Sequence, residues 1–109
     1  MKRKFWIIVF VSCAALGGCF SPDPKSLTSD SPASKIPAIK DAAATHNTRA
    51  IPGLIADLDS NDSAIRFAAI TALKDITGET FDYHYYDDQP LREPAVKRWE
   101  EWLKAHPAQ

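Results

Sequence analysis

Residues 51–78, IPGLIADLDSNDSAIRFAAITALKDITG, constrain the fold more than any other part of this chain. Ile51, Leu54, Ile55 and Leu58 fall at i, i+3, i+4 and i+7, one apolar stripe at helical period. Asp59, Ser60, Asn61 and Asp62 then break the pattern with four residues that favour turns through their own side-chain hydrogen bonds. Asp62 is placed to cap a second helix, since its carboxylate can accept from the unpaired amides of the first turn. That helix carries Ile65, Ala69, Ala72, Leu73 and Ile76 on one face, with Phe67 and Ile70 to the sides. Gly78 sits just past its end, where a left-handed residue closes a helix most easily. The pattern predicts an antiparallel helical hairpin. The wide arc of the second helix predicts burial against the hairpin partner and against something further along the chain.

The chain before the hairpin has a different character. Lys2, Arg3 and Lys4 are followed by an apolar run over residues 5–16, interrupted only by Ser12, and then by Gly17, Gly18 and Cys19. Twelve residues fall short of the ~18–20 needed to span a bilayer and within the ~7–15 of a signal-peptide core. Leu16-Gly17-Gly18-Cys19 in this position resembles the lipobox of bacterial lipoproteins. The resemblance implies cleavage between Gly18 and Cys19, with a covalent lipid on the Cys19 thiol as the protein's membrane attachment. Phe20, where an inner-membrane retention aspartate stands in many such proteins, favours the outer membrane, with the domain facing the periplasm. Residues 20–33 hold three prolines, four serines and one threonine, with Leu27 the only aliphatic side chain larger than alanine. Such a stretch cannot bury enough apolar area to offset its ordering, and predicts a mobile tether. The expected organisation is a signal peptide over 1–18, lipidated Cys19 and tether over 19–33, and a folded domain over 34–106.

On that resemblance Cys13 is expected to leave with the signal peptide and Cys19 to carry lipid, so no thiol would remain for a zinc site, a disulfide or a catalytic nucleophile. Loss of Lys2, Arg3 and Lys4 leaves ten basic residues against 14 acidic, a mature net charge of −4. That balance argues against a nucleic-acid surface, which requires basic patches.

Residues 35–45 read as a further helix, with Ser34 as its cap, Pro37 in its first turn, and Ile36, Ile39 and Ala43 on one side. Thr48 is placed to cap the hairpin's first helix. The sequence Ile36-Pro37-Ala38-Ile39 is echoed by Ile51-Pro52-Gly53-Leu54 fifteen residues on. An Ile-Pro-x-Leu-Ile-x-x-Leu helix, a turn ending in Asp62, then Ile65-Arg66 followed by Ala68, Ala69, Ala72 and Leu73, resembles one HEAT repeat of the HEAT-like and armadillo-like class. The resemblance covers about residues 48–78, with a degenerate half-repeat before it. It implies an all-α fold, a short α-α superhelix of about four helices, used to bind other proteins. By helical angle Arg66 falls inside the apolar arc, between Ile70 and Leu73. The resemblance implies a structural ion pair between Arg66 and the turn aspartates Asp59 and Asp62, because a charge in a packing face needs a partner.

After Gly78, Phe81, Tyr83 and Tyr85 alternate with Asp82 and His84, which predicts extended chain with one aromatic face. Residues 91–106 return to helical spacing. Val96, Trp99, Trp102 and Leu103 form the stripe, Pro94 lies in the first turn, and Glu93/Lys97 and Glu100/Lys104 form i, i+4 pairs outside. This helix is expected to close one end of the domain through its two tryptophans. The other end, made by the 35–45 helix and the free side of the 51–58 helix, lacks a lid, which makes Lys40 and Arg49 candidate protein-binding residues.

Two functions follow. The first is a non-catalytic, lipid-anchored interaction module with a protein partner still to be identified, no cofactor beyond the lipid and no small-molecule substrate. The second is an enzyme or metal- or cofactor-binding protein whose site is Asp82, His84, Asp87 and Asp88. Against the second stands the absence of any established ligand spacing, phosphate loop or nucleophile elbow. His46 and His106 read as solvent-facing residues at helix ends.

Overall fold

The computed structural model describes residues 26–107, so Gly18, Cys19, the expected signal peptide and the first part of the expected tether lie outside the described residues. The fold is all-α. Helix α1 spans Pro32–Ala44, a 3₁₀ turn spans Thr48–Ala50, and α2 (Ile51–Asp57), α3 (Ser63–Thr77) and α4 (Gln89–Ala105) follow. Among these residues no helix is long and apolar enough to cross a membrane.

The hairpin forms as its local signals dictate. Asp62 Oδ1 accepts from the Ala64 amide at 2.8 Å and opens α3. Gly78 closes it at φ 83°, its N–H reaching Lys74 O at 2.8 Å. Ile51, Leu54, Ile55 and Leu58 are all buried, and α3 packs on both α2 and α1.

Elsewhere the boundaries move. Helix α1 begins at Pro32, within the stretch expected to be tether, because proline is well suited to a first helical turn whose N–H would lack a partner anyway. Pro37 consequently lies inside the helix rather than in its first turn, and so does Pro94 in α4. The segment before α1 also folds back, the Ser26 amide donating to Ser34 O at 3.1 Å. Thr48 does not cap α2, whose N-cap position is Ala50 with no side-chain bond; Asn47 caps the 3₁₀ turn before it, its Oδ1 accepting from the Arg49 amide at 3.1 Å. His46 ends this region exposed, with φ 50°. An ion pair ties α1 to α2, Lys35 Nζ to Asp57 Oδ1 at 2.8 Å, with both side chains nearly buried.

Residues 79–88 form two successive turns, not extended chain. Phe81 and Asp82 adopt φ 51° and 61°, which no strand permits. The alternation of inward rings is nevertheless kept: Tyr83 is buried and Phe81 and Tyr85 half-buried, while Asp82, His84 and Tyr86 face out. The anchoring contacts explain why. The Tyr83 hydroxyl donates to Leu58 O at 2.6 Å, Trp99 Nε1 to Thr80 O at 3.2 Å, and Arg98 to Phe81 O at 3.0 Å.

Helix α4 packs on α2. Trp99 is completely buried and meets Phe81 edge-on at 4.7 Å, whereas Trp102 and Leu103 are only half-buried at the margin of the core. Trp102 stacks instead on His106, 4.2 Å away and nearly parallel. Neither i, i+4 pair expected on the outside of α4 closes; the ion pairs among the described residues lie elsewhere.

Candidate functional site

The stacking of α1 and α3 leaves a groove between them, with a volume of about 410 Å³. Its lining is rich in alanine: Ala43 and Ala44 from α1, Ala64, Ala68 and Ala72 from α3. Small side chains keep the groove open, since none reaches across to fill the space between the helices. Phe67 forms one wall and stays about half exposed (52%), and Lys40 and Asp75 carry opposite charges along the sides.

This placement corrects one expectation and divides another. The free side of α2 is not an open end, because α4 covers α2 and the unfilled surface lies between α1 and α3. Lys40 lines that surface. Arg49 does not; it sits exposed on the 3₁₀ turn. Phe67, Thr71 and Asp75 are lining residues that periodicity alone did not single out. Phe67 carried the one available signal, a large aromatic at the edge of an arc already wide enough to pack.

Arg66 also differs from expectation. It makes no ion pair with Asp59 or Asp62. Its guanidinium donates through Nη1 to Ser60 O at 2.7 Å and through Nε to Tyr85 O at 2.9 Å. Asp62 is already engaged as the α3 cap, and Asp59 is exposed. Arg66 therefore stitches the α2–α3 turn to the aromatic loop, using carbonyls that would otherwise lack donors. Arg92, in the first turn of α4, is the opposite case. It is 6% exposed, and its Nε and one terminal nitrogen are buried without a hydrogen-bond partner.

The aromatic loop does bring together part of the second candidate site. His84 lies between two carboxylates, Nε2 3.6 Å from Asp82 Oδ1 and Nδ1 3.3 Å from Asp87 Oδ2. Asp88 is spent differently, at the N-cap position of α4, though its side chain makes no capping bond. Among the described residues no group of three or more His, Cys, Asp or Glu side chains is placed to hold a metal ion. Beneath the loop, burial pushes the Tyr83 hydroxyl above its ordinary pKa of 10.0, and the nearby Arg92 and Arg66 charges offset this only in part.

No family model matches this chain, and comparison with curated proteins and with solved structures likewise gives no match.

Proposed function

We propose that this protein is a non-catalytic interaction module, anchored to the bacterial envelope by lipid on Cys19 and binding a protein partner through the α1/α3 groove. In this reading cleavage falls between Gly18 and Cys19. The 51–78 hairpin is a HEAT-like repeat, α1 is the remnant of the preceding one, and the domain faces the periplasm from the outer membrane. The observation that carries the reading is the groove itself, an apolar channel lined largely by alanines with an exposed phenylalanine beside them. A helix or extended segment from a partner could bury the exposed half of Phe67 together with the apolar groove beside it. Two or three acyl chains would hold the module firmly at the membrane, as one would not.

The test combines anchor and groove. A photo-crosslinking amino acid at Thr71, exposed on the groove, should trap a discrete partner in intact cells, whereas the same group at Lys97 on the outside of α4 should not. Ala64→Arg in the groove should abolish the adduct without lowering the melting temperature. Cys19→Ala should stop palmitate incorporation and release the protein from membranes while the domain stays folded. Palmitate labelling that survives Cys19→Ala would overturn the anchor. Equal crosslinking from Thr71 and Lys97 would overturn the groove.

A further inference from the structure

Beside the groove, four rings run in contact across the surface. Phe67 and Tyr85 have centroids 4.9 Å apart, Tyr85 meets Tyr86 edge-on at 5.3 Å, and Tyr86 stacks on His84 at 5.4 Å. Tyr86 is 67% exposed, so this outer end of the ladder adds little to the core. The backbone beneath is nonetheless held fast. Arg66 grips Tyr85 O, Arg98 grips Phe81 O, and the Tyr83 hydroxyl is buried on Leu58 O. Phe81 is kept in the left-handed region beside Asp82, a conformation that persists in a bulky residue only where the surroundings impose it. The backbone that carries the exposed rings is thus fixed before any partner arrives, which lowers the ordering cost of binding.

Carboxylates are the charges exposed on the outer side of the ladder, while the cations Arg66 and Arg92 lie beneath the loop, toward Tyr83. Asp82 and Asp87 flank His84 and Asp88 follows directly, while both arginines bonded to this loop direct their guanidinium groups at backbone carbonyls. Aromatic faces and carboxylates together form a surface suited to a cation, the ring quadrupole and the anionic charge acting in the same direction. Phe67 belongs to both features, lining the groove and touching Tyr85, so ladder and groove are one continuous surface.

We propose that the ladder receives a lysine or arginine side chain from a segment of a protein partner whose neighbouring apolar side chains enter the α1/α3 groove. The inference rests on the interaction reading above and adds the partner's chemistry: a basic, amphipathic segment.

The test uses the full lipidated chain in a nonionic detergent, titrated calorimetrically with two synthetic amphipathic peptides. Both have the same apolar face; one carries lysine and arginine at its polar positions, the other glutamate. The basic peptide should bind at least tenfold more tightly. Tyr86→Ala should weaken it about two- to fivefold, the loss of one exposed cation–aromatic contact, and Asp87→Asn should weaken it further, while melting temperatures stay unchanged. Equal affinity for the two peptides, or affinity indifferent to Tyr86→Ala, overturns the inference. If neither peptide binds while the Thr71 crosslink persists, the basic partner is wrong and the interaction module stands. If the basic peptide binds with the expected dependence on Tyr86 but no Thr71 crosslink forms in cells, the cation-binding ladder stands and the groove reading falls.

Discussion

Replacing Trp99 by alanine removes the largest side chain that the fold buries completely. A buried tryptophan withdraws about 200 Å² from water, which at about 25 cal/mol per Å² amounts to about 5 kcal/mol. Compactness of the unfolded chain reduces that figure. The change also leaves Thr80 O without the indole N–H that reaches it at 3.2 Å, a further cost of about 1 kcal/mol. The net is about 4 kcal/mol, within the ~3–5 kcal/mol range for such core truncations. A domain of about 80 residues has only about 4–12 kcal/mol to lose, so the variant should sit close to unfolding. Trp102, half-buried at the core margin, should cost about half as much when truncated. Urea unfolding of a chain that lacks residues 1–18 and carries Cys19→Ala, followed by far-ultraviolet circular dichroism, separates the two. With a slope near 1 kcal/mol per M, Trp102→Ala should lower the midpoint by about 2 M and Trp99→Ala by about twice that. A Trp99→Ala midpoint within about 1 M of the parent, or equal loss from both changes, would refute the assignment of Trp99 as the residue that closes the core.

The two arginines should respond in opposite directions. Arg66→Met strands Ser60 O and Tyr85 O and should cost about 1–3 kcal/mol. Arg92→Met, which removes a buried guanidinium with two unpartnered nitrogens, should be neutral or stabilising in the same urea experiment; a loss above about 2 kcal/mol would contradict this. Asp57→Ala, leaving the Lys35 ammonium nearly buried and unpaired, should cost about 3 kcal/mol, while Lys35→Met with Asp57→Leu should lie close to the parent. The raised pKa of Tyr83 means that the unfolded chain gives up the phenolic proton first, so unfolding releases a proton and stability falls as pH rises past 10.0. Tyr83→Phe should be about 1–2 kcal/mol less stable near neutrality, with Leu58 O left unpaired. The gap between parent and variant should narrow in melts taken above pH 10, and a gap that widens there would show that the hydroxyl is not held in its neutral form.

The features legible in the residues alone are those whose causes lie within a turn or two of chain. Asp62 and Gly78 fix the ends of α3 because each satisfies its own neighbours' backbone groups, whatever else packs nearby. The apolar spacing of 51–58 and of α4 marks helices for the same local reason. What the sequence left undetermined depends on which helices meet. The backbone of 79–88 bends into turns because Thr80, Phe81 and Tyr85 are each held through their carbonyls by residues at least 17 positions away. Arg66 bonds carbonyls rather than the turn aspartates because the aromatic loop folds over it, and Trp99 rather than Trp102 becomes core through the way α4 lies on α2. The open surface runs between α1 and α3 because α4 takes the side of α2 that periodicity had left free. Periodicity shows that a helix has an apolar face but cannot say which neighbour will cover it; packing over long sequence separations decides that, and with it the position of the groove.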